Sequence, residues 1–171
     1  MTVIEAVRKR RSIRAFQEKE IAQEAIDRLI EAILWAPSAG NLQSRFFYFV
    51  LEKKTKASLA RAALEQFFIA EAPLAIVACC DSSIEGHYGR RGKDLYTCQD
   101  VAASIQNLML VAHEMDLGSV WVGAIDEKKV AEAINLPQHL RPVAIVPVGY
   151  PAETPSPPPR VSKKDAIKFI R

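Results

Sequence analysis

Seven consecutive apolar residues, Leu74-Ala75-Ile76-Val77-Ala78-Cys79-Cys80, stand between Pro73 and Asp81. A run this short and uniform reads as an interior strand, because a strand with one wet face would alternate apolar and polar residues. Phe46-Phe47-Tyr48-Phe49-Val50-Leu51 reads the same way: dense aromatic and branched side chains suit a sheet packed on both faces. Ser119-Val120-Trp121-Val122 and Val143-Ala144-Ile145-Val146-Pro147-Val148 add two more strand candidates.

The cover for such a sheet is visible between the strands. Thr2 to Lys9 is a short predicted helix, with Ser12 and Ile13 at its exit. From Ala22 to Leu34, apolar Ile26, Leu29, Ile30, Ile33 and Leu34 recur at helical spacing, and the helix is expected to end before Pro37. Lys56 to Gln66 and Glu127 to Ile134 read as shorter helices. The longest runs from Tyr96 to Met115, where Val101, Ile105, Leu108, Met109, Ala112 and Met115 repeat with a period near 3.6, and Gly118 ends it. Ala102, Ala103 and Ser104 widen its small side, permitting a close helix contact within the fold or across a dimer. His87 to Lys93, with two glycines and three basic residues, reads as a mobile or exposed connection.

Strict βαβ repetition is absent, so the expectation is an α+β fold with helices around a sheet. At 171 residues and 49% apolar content, the chain fits one domain over residues 1–150. Pro151, Pro155, Pro157, Pro158 and Pro159 then impose an extended arm over 151–171 with a basic end. No apolar run approaches the roughly 20 residues of a membrane span. The first residues lack the pattern of a secretory signal, which gives a cytoplasmic location as the expectation. Cys79, Cys80 and Cys98 are an odd set without a CxxC pair, and His87, His113 and His139 lack ligand spacing; buried thiols and no metal are expected.

Charge is more telling in its placement than in its net value of +3. Arg8, Lys9, Arg10, Arg11 and Arg14 gather near one end; Arg160, Lys163, Lys164, Lys168 and Arg171 gather near the other. Folded together, these ends could neutralise one terminal phosphate; spread over a face, they would suit solvent or a nucleic acid backbone. Arg10 offers a planar fork and Ser12 a short hydroxyl to a phosphate, although solvated surface ion pairs would explain the same residues. Pro37-Ser38-Ala39-Gly40-Asn41-Leu42-Gln43 is a small-residue loop: Ala39 leaves room for a planar ring, and Ser38, Asn41 and Gln43 can pair with its polar edge. A plain helix-to-strand turn has the same composition. In Gly118-Ser119-Val120-Trp121-Val122-Gly123-Ala124, backbone N–H groups near Gly123 can face an electron-accepting ring nitrogen; alternatively Trp121 is a core or interface aromatic and Gly123 only ends a strand. Taken together, a phosphorylated ring cofactor is indicated, with flavin mononucleotide (FMN) as the leading candidate.

These stretches, in this order, resemble the flavin-dependent nitroreductase family. The likeness rests on Arg10-Arg11-Ser12-Ile13-Arg14-Ala15-Phe16, Pro37 to Gln43, Gln106-Asn107-Leu108-Met109-Leu110, Gly118 to Gly123 and Pro147-Val148-Gly149-Tyr150-Pro151, and spans nearly the whole chain. It implies a central, mostly antiparallel sheet flanked by helices in an intertwined homodimer, with FMN at the interface. Arg10 and Ser12 would hold the phosphate and ribityl end, Arg11 would position the turn, and Arg14 would lie near the N1 and O2 edge of the ring. Pro37, Ser38 and Ala39 would back the ring, and Asn41 and Gln43 would lie near its pyrimidine portion. The backbone at Gly123 and Ala124 would meet N5, and Arg160 would reach the phosphate. One departure stands out: the family commonly follows the glutamine with proline and an aromatic residue, whereas this chain has Gln43-Ser44-Arg45-Phe46, which makes Arg45 a candidate local anion contact.

The implied activity is an FMN-dependent NAD(P)H oxidoreductase in which NADH or NADPH reduces the flavin and a quinone, nitroaromatic or other conjugated acceptor reoxidises it on the same face. Flavin-dependent oxygen chemistry, flavin fragmentation and reductive dehalogenation are alternatives within the resemblance. A basic nucleotide- or nucleic-acid-binding protein is the alternative outside it.

Overall fold

A computed structural model describes all residues from 1 to 171. Its centre is a four-stranded antiparallel sheet made of β1 (Arg45–Val50), β2 (Leu74–Asp81), β3 (Gly118–Ser119) and β4 (Leu140–Gly149), in the order β1-β2-β4-β3. The apolar run is β2, and it lies inside the sheet between β1 and β4. Its side chains alternate: Leu74, Ile76, Ala78 and Cys80 enter one core, and Ala75, Val77 and Cys79 enter the other. A residue that would face water in a one-sided sheet is here as apolar as its neighbour, because both faces are covered.

The helices supply that cover. They are α1 (Val3–Lys9), α2 (Gln23–Leu34), α3 (Lys53–Ala62), α4 (Phe68–Glu71), α5 (Glu85–Arg91), α6 (Thr97–Glu114), α7 (Glu127–Ala133) and α8 (Lys163–Ala166). Ile26, Leu29 and Ile33 of α2 and Val101, Ile105 and Leu108 of α6 build the first core; Leu59 and Ala60 of α3 and Val130 of α7 build the second. Two helix starts follow directly from local chemistry. Thr2 and Glu5 form a reciprocal capping box on α1, and the Asp126 carboxylate accepts the Lys128 and Lys129 N–H groups at 3.1 Å each. No helix is long and apolar enough to cross a membrane.

The α+β architecture is as expected, and the differences are local. Residues 87–93 are exposed, as expected, except for buried Gly92, but they are helical: α5 and a π-helical turn over Gly92–Tyr96 carry them into α6. The Lys93–Glu85 and Arg90–Asp94 ion pairs, at 2.8 and 3.0 Å, and the edge-on packing of Tyr88 on Tyr96 tie these turns together. The break that the glycines suggested is confined to Gly89, at φ 58°. α3 ends at Ala62, with Leu64 and Glu65 at left-handed φ, so the predicted helix from Lys56 to Gln66 lies about one turn too late at each end. Cys98 is partly exposed; only Cys79 and Cys80 are buried.

Gly118 has a different task from the one expected. Asp116, at φ 57°, makes the left-handed exit from α6, and Leu117 N–H reaches back to Ala112 O at 2.8 Å. Gly118 lies beyond that turn, in β3, where the segment after α1 crosses it. Ser12 bridges Ser119 in parallel register and Ile13 N–H donates to Ser119 O at 3.1 Å. A Cβ on Gly118 would sit 2.8 Å from Cβ, Cγ1 and Cγ2 of buried Ile13. Gly118→Ala is therefore expected to lower the unfolding free energy by about 1–3 kcal/mol, the usual cost of overpacking. Urea denaturation checks this, and an unchanged midpoint would show that the two segments are not in close contact.

Candidate functional site

The basic turn begins where α1 ends. Arg11 donates through Nη1 to Arg8 O and Arg10 O at 2.8 Å each, which satisfies carbonyls at the helix end and fixes the turn. Arg10 is left pointing inward. Its Nη1 is buried and has no hydrogen-bond partner. Burial, then the charges of Arg11 and Arg160, hold its pKa below the ordinary arginine value. That influence of Arg160, with the Glu153 carboxylate accepting the Arg14 and Ala15 N–H groups, places the start of the arm near the N-terminal turn; Lys163, Lys164, Lys168 and Arg171 are not among the charges acting on Arg10. None of Arg10, Arg11, Arg14 and Arg160 is in a salt bridge.

Two further buried polar atoms stand without partners: His113 Nε2 and Ser119 Oγ. Ser119 faces Ser12 across the parallel bridge. His113 lies in the last turn of α6; burial first, then Arg10, hold its pKa below the usual histidine value, with Asp116 opposing and Arg11 and Lys9 adding to the shift. Sequence reading singled out neither residue. An unpartnered buried polar atom costs about 1–3 kcal/mol, and such atoms are rare in native proteins. These three, beside four arginines with no carboxylate to pair with, have the donor chemistry of an anion site.

The loop after α2 is stiff for a different reason. Gly40, Asn41 and Gln43 all adopt left-handed φ, at 54°, 56° and 54°. The buried carboxylate of Asp100 holds them there: Oδ1 accepts Ala39 N–H at 2.9 Å and Oδ2 accepts Ser44 Oγ–H at 2.7 Å. Thr97, one turn earlier on α6, donates to Ser44 O at 2.5 Å, and Ser38 Oγ accepts Gln43 N–H at 3.0 Å. Pro37, Gly40, Asn41 and Gln43 remain exposed, and the Tyr88 hydroxyl stands where a Cβ on Gly40 would lie. Arg45 is not an anion contact. Its guanidinium donates to Ala36 O at 2.9 Å, Leu34 O at 3.2 Å, Ile33 O at 3.3 Å and Pro37 O at 3.4 Å, so the exposed carbonyl end of α2 takes up the charge.

The third stretch leaves the sheet as a rigid strand end. Val122 exchanges both backbone hydrogen bonds with Ile145 at 2.9 Å, and Asp126 N–H donates to Ala62 O at 2.7 Å. Between these fixed points the N–H groups of exposed Gly123 and Ala124 make no hydrogen bond within the chain. They form a short row of free donors on a held backbone.

One chain brings together the basic turn, Ser119 and Arg160. It does not bring in the Pro37–Gln43 loop. That loop is held by Asp100 near the start of α6, whereas His113 and the arginines lie at its other end, about 20 Å away at the helical rise of roughly 1.5 Å per residue. Asp100 was also missed in the sequence, although it shares one side of the helix with Thr97, Val101 and Ser104, all of them buried.

Comparison with known proteins follows the same lines. The model of the nitroreductase family matches residues 7–83 and 64–150. A relative from Methanothermobacter thermautotrophicus, whose name includes NAD(P)H nitroreductase, is 35% identical over 159 residues, covering 91% of this chain and 80% of its own. A Bacillus subtilis protein named as an FMN reductase is 27% identical over 177 residues, covering 95% and 71%. The solved structure of an FMN-dependent nitroreductase from Clostridium difficile R20291 superposes with a TM-score of 0.85 at 26% identity, over 98% of this chain and 99% of that one. With one family model spanning the sheet, the long helix and both segments that cross at Gly118, the chain belongs to the nitroreductase family.

Proposed function

We propose that this protein is an FMN-dependent NAD(P)H oxidoreductase that works as a homodimer and passes hydride to a quinone, a nitroaromatic or another conjugated acceptor. The observation that carries this reading is the set of three unpartnered buried atoms, Arg10 Nη1, Ser119 Oγ and His113 Nε2, within a cluster of unpaired cations. A terminal phosphate fits that set, since it presents several acceptor oxygens and a negative charge to groups that lack both. Bound there, FMN supplies the hydride carrier, reduced by NAD(P)H and reoxidised by the acceptor.

The chain's own residues then have distinct tasks. Arg10, Ser12 and Arg160 hold the phosphate, while Arg11 keeps the turn in shape through the α1 carbonyls. Arg14 is exposed, and its backbone N–H, like that of Ala15, donates to Glu153; the turn is thereby pinned while the guanidinium stays available to negative charge on the pyrimidine edge of the ring. The free N–H groups of Gly123 and Ala124 meet N5. Pro37, Ser38 and Ala39 back the ring, with Asn41 and Gln43 at its polar rim.

The separation along α6 supports a reading in which that loop comes from a second copy. The surface supports such a pairing. Val3, Ile4 and Val7 on α1 and Leu34 and Trp35 at the end of α2 are exposed, Val3 at 76% and Trp35 at 80%. Grooves beside α6, lined by Val3, Ala6, Asn107, Leu110 and Val111, separate these apolar groups. On the arm, Phe169 and Ile170 are exposed as well. An apolar surface of this extent marks an interface in a folded protein. A second chain offers its own α6 and arm to the same groove, so each pocket takes its phosphate wall from one copy and its ring-backing loop from the other.

Three outcomes are expected. Arg10→Ala loses charge-assisted hydrogen bonds worth about 1.5–3 kcal/mol each, which corresponds to roughly 10- to 150-fold weaker FMN binding. Turnover of the loaded fraction changes far less; equilibrium dialysis with FMN checks the first statement, and undiminished affinity would remove the anchor role.

His113 gives a readout independent of activity. Without an anion, its depressed pKa means that the unfolded chain takes up the proton more readily. The contribution of the neutral ring to stability is thus fully present above about pH 6.5 and is lost as pH falls from there through the lower folded-state pKa. A bound phosphate offsets Arg10, Arg11 and Lys9 and moves the His113 pKa upward, which imidazole NMR shifts with and without FMN will follow. No movement would place the phosphate elsewhere.

Finally, Gly40→Val cannot keep φ 54° or the space held by Tyr88. Mixed with Arg10→Ala chains, it is expected to regain one intact pocket per mixed dimer, seen as half-stoichiometric yellow protein by absorbance. Failure of mixing to restore any FMN would mean that each pocket is built from a single chain.

A further inference from the structure

Cys80, near the end of β2, and Cys98, in the first turn of α6, are 18 residues apart in sequence, yet their Sγ atoms are 3.4 Å apart. Nothing in the proposed oxidoreductase chemistry uses them. We propose that Cys80 and Cys98 are a redox modification site, forming a reversible intrachain disulfide that staples the start of α6 to β2 when the protein meets a peroxide.

Three observations set the roles of the two thiols. Cys98 is partly exposed, while Cys80 is buried, at 3% exposure, within the core between α6 and the sheet. Arg141 of β4 pairs with Cys80 in the sheet register, and its guanidinium is close enough to lower the cost of negative charge on that sulfur. Burial nevertheless pushes the Cys80 thiol up to about 12, which keeps it protonated until a partner sulfur is ready. Cys98 is therefore the sulfur that meets the oxidant, and Cys80 is the one that resolves it.

The steps balance with peroxide as the oxidant. The Cys98 thiolate attacks one peroxide oxygen, the S–O bond forms as the O–O bond breaks, and hydroxide leaves and is protonated to water. Cys98 is now a sulfenic acid. The Cys80 sulfur attacks it, the new S–S bond replaces the S–O bond, and the departing hydroxide takes the Cys80 proton as a second water. Two thiols are oxidised by two electrons and one peroxide is reduced to two waters. Closure draws the sulfurs from 3.4 Å to about 2.05 Å.

Cys79 is the internal contrast. It precedes Cys80 on β2, so its side chain enters the opposite core, away from α6. The staple also lies beside the hydrogen bonds that hold the loop after α2, because Thr97 and Asp100 flank Cys98 on the same turn and bind Ser44 and Ala39. Oxidation is therefore expected to stiffen that loop without a contact to it.

The test uses the full folded chain treated with hydrogen peroxide, then alkylated, digested without reductant and analysed by mass spectrometry. A single linked peptide pair joining Cys80 to Cys98 is expected. It is reversed by dithiothreitol, lost in Cys98→Ser and retained in Cys79→Ser. The oxidised chain is expected to melt about 5–10 °C higher, and the Ala39 amide to exchange hydrogen more slowly. Overoxidation of Cys98 with no cross-link, a cross-link through Cys79, or one joining two chains would overturn the proposal. Unchanged exchange at Ala39 would overturn its reach to the loop. Cys98→Ser changes one atom at a partly exposed position at the rim of the first core, the cross-link itself does not depend on flavin binding, and the Ala39 exchange is compared at equal flavin occupancy.

Discussion

The burial of β2 on both faces is the constraint from which the rest of the structure follows. A strand with residues 74–79 fully removed from water needs a layer above and a layer below, and each residue must find its own cluster. The upper layer is chiefly α6, and its apolar period fixes which of its sides lies down. Once that side is fixed, the ends of α6 are fixed too, and both emerge at places where chemistry is held. At one end Asp100 is committed to the Pro37–Ser44 loop. At the other, the Asp116 turn feeds the chain into β3, against which the basic segment after α1 must lie. The position of the arginines is thus a consequence of how an apolar strand is covered, several elements away.

This geometry also explains why the site is polar where the core is not. At the Ser12–Ser119 crossing a single parallel bridge joins the segment after α1 to the sheet, with Ile13 N–H donating to Ser119 O. Side-chain donors around it are left without partners. Arg45 shows the other outcome for a basic residue near a helix end: four carbonyls surround its guanidinium, and its charge is locally satisfied. Arg10 has no such set. Its nearest charges are of its own sign, and its Nη1 is buried without a partner. Like-charged groups held together in a folded chain raise its energy unless something of opposite charge joins them, and no acidic side chain of this chain does. Glu153, the carboxylate that comes nearest in sequence terms from the arm, is occupied by the Arg14 and Ala15 amides.

How far the sequence discloses this depends on whether a residue's role is local. Period and run length sufficed for α2, α6, β2 and β4, because side chains that must be buried repeat with the geometry of the element. Turn chemistry was less transparent. Gly118 reads as a helix stop, yet an aspartate two residues earlier performs that exit, and the glycine serves a crossing segment that lies more than 100 residues away in sequence. Lys56, named in the sequence only as the start of a predicted helix, is buried, and its ammonium donates to Ala72 O and to Pro73 O just before β2. Asp100 and His113 were overlooked for the same reason: their meaning lies in the partner they have, or lack, across the fold. The arginine pattern was legible because its density in sequence is unusual; the atoms that orphan it were not.

The proposed composite pocket rests on one length. Were α6 a turn or two long, the Asp100-held loop and the Arg10 cluster would lie close enough for one small ligand to touch both. At 18 residues it holds them apart by most of its axis, about 27 Å in full. The same helix leaves Asn107, Leu110 and Val111 in an open groove midway between its ends. In the homodimer proposed above, a second copy packed there by a two-fold axis would run its own α6 past the first and carry its loop end toward the first chain's arginine end. An isologous contact makes that exchange twice. In that proposed assembly the exposed apolar groups of α1, α2 and the arm would be covered, and two equivalent pockets would arise where one chain has only two separated halves.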